Sequence, residues 1–161
     1  MKRASISCRQ GGGRVLAIGW CLALALSTAD AQGLFVVNQP WVRPAAAGHA
    51  TEAYMNLTSA EGATLVAVRA DGAAAVSMRG PGTNATIREL ALPPRTIVEF
   101  APGKYRFWLR RLARTVRLGD SVALTLTIRG TDGGRQDIPV SAVARLRSPL
   151  DDERLAHRHR H

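Results

Sequence analysis

Cysteine, methionine and aromatic residues are scarce in this 161-residue chain, which has two Cys, three Met and only 5% Phe, Trp and Tyr. Both cysteines, Cys8 and Cys21, lie in the first 31 residues. The remaining chain therefore offers no disulfide, no thiolate nucleophile and no thiolate metal site. Histidine is nearly as sparse, with His49 followed only by a terminal group at His157, His159 and His161. No Ser-His-Asp arrangement suggests itself, so an enzyme is not expected. No glycine-rich phosphate loop of the Walker or Rossmann type is present. Too few aromatics exist for a nucleic-acid stacking platform, and nucleic acid is not an expected partner.

Long apolar runs are also missing, apart from one near the start. Lys2, Arg3, Arg9 and Arg14 precede the run Val15-Leu16-Ala17-Ile18-Gly19-Trp20-Cys21-Leu22-Ala23-Leu24-Ala25-Leu26, and Ala29-Asp30-Ala31 follows. A basic start, a short apolar centre and a small-x-small end make a secretory signal peptide. The run is short for a transmembrane helix and has no successor, so no span is expected in the mature chain. Bulky Trp20 before Cys21 argues against lipid attachment there. Removal of residues 1–31 leaves 18 basic against 11 acidic residues, a net charge of +7. The expected location is periplasmic or secreted. Residues 32–145 are expected to form one domain, and residues 146–161 a mobile basic tail.

What the mature chain does have is alternation. Val122, Leu124, Leu126 and Ile128 fall on one face of a strand, with Ser121, Thr125 and Thr127 on the other. Residues 96–100 read likewise. Further strands are expected at 34–38, 53–58, 64–70, 75–79, 86–90, 104–110 and 136–143. Turn signals such as Asp71-Gly72, Gly80-Pro81-Gly82, Pro102-Gly103 and Asp132-Gly133-Gly134 separate them. Many short strands at this spacing predict an all-β sandwich or small barrel. A short helical turn is expected near residues 111–118. Met55 and Met78 alternate with apolar neighbours and read as core.

A set of blocks in order adds to this reading. Pro40-Trp41-Val42-Arg43-Pro44 comes first, then Ala53-Tyr54-Met55-Asn56-Leu57 and Val76-Ser77-Met78. Pro94-Arg95-Thr96-Ile97-Val98-Glu99-Phe100-Ala101-Pro102-Gly103-Lys104-Tyr105 and Leu118-Gly119-Asp120-Ser121-Val122 follow. Over residues 34–143 the chain resembles the PCu(A)C periplasmic copper chaperones. The resemblance implies a cupredoxin-like Greek-key β-sandwich or barrel. It also implies Cu(I) carriage toward the dinuclear copper centre of cytochrome oxidase, with oxidase assembly proteins as partners. The family's His, Met and His-x-Met ligands fall here on Arg79, Ile87, Arg106 and Trp108, none of which suits copper. No His or Met lies between Met78 and His157. Copper is thus the implied cargo, while the implied Cu(I) site is degenerate.

Two other features hold candidate chemistry. His157, His159 and His161, spaced by two, are able to gather three imidazoles around Cu(II), Ni(II) or Zn(II). Solvation of the same tail is the plainer reading. His49 sits alone in the loop 45–50 and is by itself no site. On the strand around Lys104, the residues Arg106, Trp108 and Arg110 are expected to point outward, and family geometry converges Arg79 on Arg106 and Trp108. That basic face suits an anionic ligand or an acidic envelope protein, although an arginine merely covering the indole explains the pair equally. The second function class is therefore a metal-free envelope binding module that uses Arg79, Arg106, Trp108 and Arg110. Protein recovered from the cell envelope is expected to begin at Gln32 by intact mass. A species retaining Met1, or a lipidated form beginning at Cys21, contradicts this.

Overall fold

Alternation of apolar and polar side chains carries through into the architecture of the computed structural model, which describes residues 35–149 and Asp151. The described residues contain ten strands: β1 (Phe35–Val42), β2 (Thr51–Ser59), β3 (Ala63–Ala70), β4 (Ala73–Arg79), β5 (Thr86–Ile87), β6 (Leu90–Leu92), β7 (Ile97–Phe100), β8 (Arg106–Leu112), β9 (Ser121–Gly130) and β10 (Arg135–Ala144). They share one sheet in the order β5-β4-β8-β2-β1-β10-β9-β3-β6, and β7 also pairs with β2. β1 runs parallel to β10. Consecutive β5 and β6 pair with β4 and β3 at opposite ends of this path. The link at residues 88–89 therefore draws the two ends together and nearly closes the sheet. This is the expected all-β sandwich or barrel.

The core follows the strand parity. Val122, Leu124, Leu126 and Ile128 of β9 are all buried, as are Phe107 and Leu109 of β8. Phe107 stacks on Phe100 with ring centroids 4.2 Å apart. Met55 and Met78 lie in the same cluster, filling the interior as methionine does.

Three local expectations are corrected. The first strand does not end at residue 38 but runs to Val42. Gln39 has φ of 51° and the register against β2 shifts between Asn38 and Trp41. This bulge accommodates Pro40, which has no N–H to give to a ladder. The segment 86–90 is two short strands, because its halves find different partners. Residues 111–118 form no helix. β8 continues to Leu112, and Arg111 takes φ of 51°. Thr51 pairs with Leu109, yet the Leu112 N–H donates to His49 O at 3.0 Å, one residue out of step. Ala45 and Val116 then exchange two hydrogen bonds, of 3.0 and 2.8 Å. Backbone groups satisfied by the 45–49 loop are no longer available to a helix.

Among the described residues no helix is long and apolar enough to cross a membrane. The proposed signal peptide at 1–31 and the tail histidines at 157, 159 and 161 lie outside the described residues.

Candidate functional site

β8 lies between β4 and β2, and their register fixes which side chains meet. Arg79 is directly opposite Arg106, and Ser77 is opposite Trp108. On the other side Glu52 is opposite Trp108. Directly opposed residues share a face, so Arg79, Arg106, Trp108 and Glu52 all lie on the outer side of these three strands. Ile87 does not join them. It is opposite buried Met78 and packs against the core. Of the four positions matched to the family's ligands, three converge and the fourth faces inward. Arg110 shares the outer face of β8 and is exposed, but it is opposite Ala75, farther along the strand.

The two converging arginines are not equivalent. Arg79 lays its guanidinium over the Trp108 ring, 4.6 Å from the centroid. Its Nη1 donates to Asn84 Oδ1 at 3.2 Å, and its buried Nε has no hydrogen-bond partner. Stacking on the indole is the favourable contact that remains.

Arg106 is far more enclosed, with its side chain only 13% exposed. Its Nε lies 3.2 Å from Glu52 Oε1, an ion pair without good hydrogen-bond direction. Nη1 donates to Gly80 O at 3.2 Å. Nη2 donates to Thr83 O and to Asn84 Oδ1, both at 2.9 Å. Parity does aim Arg106 outward, but the 80–84 loop folds back over it. Its donors are engaged inside the protein rather than offered to a ligand.

Glu52 links this arrangement to a second one. Its Oε2 accepts a hydrogen bond from the Tyr54 hydroxyl. Tyr54 is 1% exposed and its ring lies 4.6 Å from that of Trp41, with the Arg43 guanidinium 5.9 Å away on its face. Burial raises the Tyr54 phenol well above its ordinary range, and the bond to the Glu52 carboxylate raises it further.

Sequence reasoning placed Arg79, Arg106 and Trp108 near one another but missed Glu52, Tyr54 and Asn84. The signal for Glu52 was weak: the one acidic residue of its strand, two positions before a tyrosine. Nothing near Asn84 marked it as the acceptor shared by two arginines. Among the described residues no group of three or more His, Cys, Asp or Glu is placed to hold a metal ion. Met55 and Met78 are buried in the core at 2% and 4% exposure, which keeps their thioethers from the outer face.

Two outcomes test this arrangement. Arg106→Met should destabilise the fold by about 1–3 kcal/mol, because it leaves a partly buried Glu52 carboxylate unpaired. Arg79→Met should cost about 1 kcal/mol or less, since it loses chiefly the indole contact. Chemical denaturation measures both, and equal losses contradict the ranking. The Tyr54 pKa is higher folded than unfolded, so its contribution to stability is present below about pH 10 and declines as pH rises past that value. Tyr54→Phe should flatten this alkaline decline in a pH series of unfolding curves. An unchanged decline contradicts it.

Comparison with known proteins places these features in a lineage. The profile of the LpqE-like lipoprotein family matches residues 35–141. No curated protein matches the chain. Among solved structures, the apo PCuAC domain of PmoF1 is 22% identical with a TM-score of 0.56, covering 69% of this chain and 94% of that one. The copper-bound PCuAC domain of PmoF2 is 21% identical with a TM-score of 0.55, covering 69% and 93%. The Cu(I)-bound DR1885 protein of Deinococcus radiodurans, solved in solution, is 25% identical with a TM-score of 0.54, covering 75% and 85%. With its profile match over most of the folded region and its PCu(A)C-type sandwich, the chain belongs to the LpqE-like family.

Proposed function

We propose that this is an exported, copper-chaperone-like protein whose strand-borne Cu(I) site has been replaced by an arginine clasp. Support for copper handling comes from the copper-bound domains that share its fold. The observation that carries the replacement is Arg106, at a position where the family resemblance expects a copper-ligating His. It is held between Glu52 and the Gly80, Thr83 and Asn84 acceptors. A guanidinium has no lone pair for a metal and repels a cation. The outer face therefore does not fit copper.

Metal handling then falls to the tail. His157, His159 and His161 are three imidazoles within five residues, a set that suits Cu(II) better than Cu(I). The acceptor implied by the PCu(A)C resemblance is the dinuclear copper centre of cytochrome oxidase or its assembly proteins. Export to the envelope accords with the lipoprotein description of the family. The folded domain serves in this reading as a metal-free scaffold. The rival reading, an Arg79, Arg106, Trp108 and Arg110 face for an anion or an acidic partner, has less support, because Arg106 is already bound internally.

Titration of the mature protein with Cu(II) and Cu(I) against a competing chelator tests this. Wild type should bind Cu(II), and the triple His157→Ala, His159→Ala, His161→Ala variant should not. Binding should fade below about pH 6, where imidazoles become protonated and cease to be ligands. Tight one-to-one Cu(I) binding by the triple variant would return the site to the folded domain.

A further inference from the structure

A second basic feature lies on other strands. The outer faces of β3, β9 and β10 and the link between β5 and β6 border a groove of about 750 Å³. Register assembles its floor: Ala67 is opposite Thr127, and Thr127 is opposite Asp137. A register shift in β3 between Leu65 and Ala67 sets Val66 along the groove. Arg69 and Arg135 rise from the floor, and Arg88 and Glu89 line it from the link.

Its charges do not balance. Arg69 Nη2 lies 2.8 Å from Asp137 Oδ2, and Thr127 Oγ1 donates to Asp137 Oδ1 at 2.6 Å. Arg129, next to the groove, holds Glu89 through both oxygens, at 3.1 and 2.7 Å. Each carboxylate is thus matched to one arginine. Arg88 and Arg135 are exposed, and their guanidiniums have no ion-pair or hydrogen-bond partner among the described residues. Glu89 is held below the ordinary carboxylate range, first by its bond to Arg129, with the Arg135 charge contributing.

We propose that this groove is a binding site for a phosphate-bearing dianion, with Arg88 and Arg135 as its principal ligand-binding residues. The two unmatched guanidiniums supply two positive charges and open donor forks. One fork already saturates a carboxylate here, as Arg129 does Glu89. A tetrahedral phosphate instead presents oxygens in several directions and accepts from two forks at once. The ordered acidic partners hold Arg69 and Arg129 in place, so the site's walls exist before ligand arrives. The phosphate belongs either to a soluble compound or to a lipid headgroup, and the chemistry at the arginines is the same.

Calorimetric titration of the mature protein with inorganic pyrophosphate tests the proposal, beside sedimentation with phosphatidylcholine vesicles with and without phosphatidic acid, whose monoester phosphate can carry two negative charges. The double variant Arg88→Ala, Arg135→Ala should weaken pyrophosphate binding at least tenfold. A control, Arg117→Ala with Arg147→Ala, removes the same charge elsewhere and should not. Circular dichroism melting checks that both variants fold. Vesicle binding with the same dependence on Arg88 and Arg135, without pyrophosphate binding, supports the site and assigns a lipid headgroup. Equal loss in both double variants means general charge attraction and overturns it. So does failure of both probes to bind wild type, or Arg88- and Arg135-dependent binding of polyglutamate alone.

Discussion

Alternation along β8 divides the chemistry of the molecule. Phe107 and Leu109 point into the barrel and are fully buried. Arg106, Trp108 and Arg110 point the other way. A one-residue slip would place guanidiniums in the core and a phenylalanine in solvent, so register is strongly fixed. Everything on the outer face depends on that constraint, because β4 and β2 bring their own residues into line with it. Arg79 meets Arg106, and Glu52 meets Trp108, for no reason except ladder pairing.

Two like charges placed opposite one another are unfavourable unless something intervenes. Here the intervening groups are Glu52 beside Arg106, the indole beneath Arg79, and Asn84 Oδ1 accepting from both. The 80–84 loop is tied to the sheet by the same contacts. The Arg106 guanidinium thereby connects β8 to the 80–84 loop through hydrogen bonds and to Glu52 of β2 through an ion pair. An arginine suits that role because its planar fork reaches several acceptors at once. The groove on β3, β9 and β10 uses arginine differently. There, two carboxylates satisfy two guanidiniums and leave two others open.

The sandwich was legible in advance because its determinants are local. Val122 to Ile128 alternates so regularly that only a half-buried strand fits, and the turn-forming Gly pairs mark where strands end. The core roles of Met55 and Met78 came from the same parity. Local pattern failed at residues 111–118, where helix was expected. The backbone there is claimed by His49 and Ala45 from a loop more than sixty residues earlier in the chain. It failed also at the end of β1, expected at residue 38, because Pro40 sits at a bulge inside a strand that runs on to Val42.

Sequence by itself determined the fold class and the inward set of the regularly alternating strands, such as Val122 to Ile128. Those are properties of residue identity and of a two-residue period, and neither needs a partner strand to be known. Tertiary structure alone decided that Arg106 is enclosed while Arg110 is exposed, though both have the same parity on β8. It decided that Glu52 and Tyr54 join the arginine face, and that Ile87 leaves it for the core. The physical reason is that enclosure depends on what lies across the ladder and which loop folds over it. Those neighbours come from Glu52, Asn84 and Arg106, residues spread over more than fifty positions of the chain.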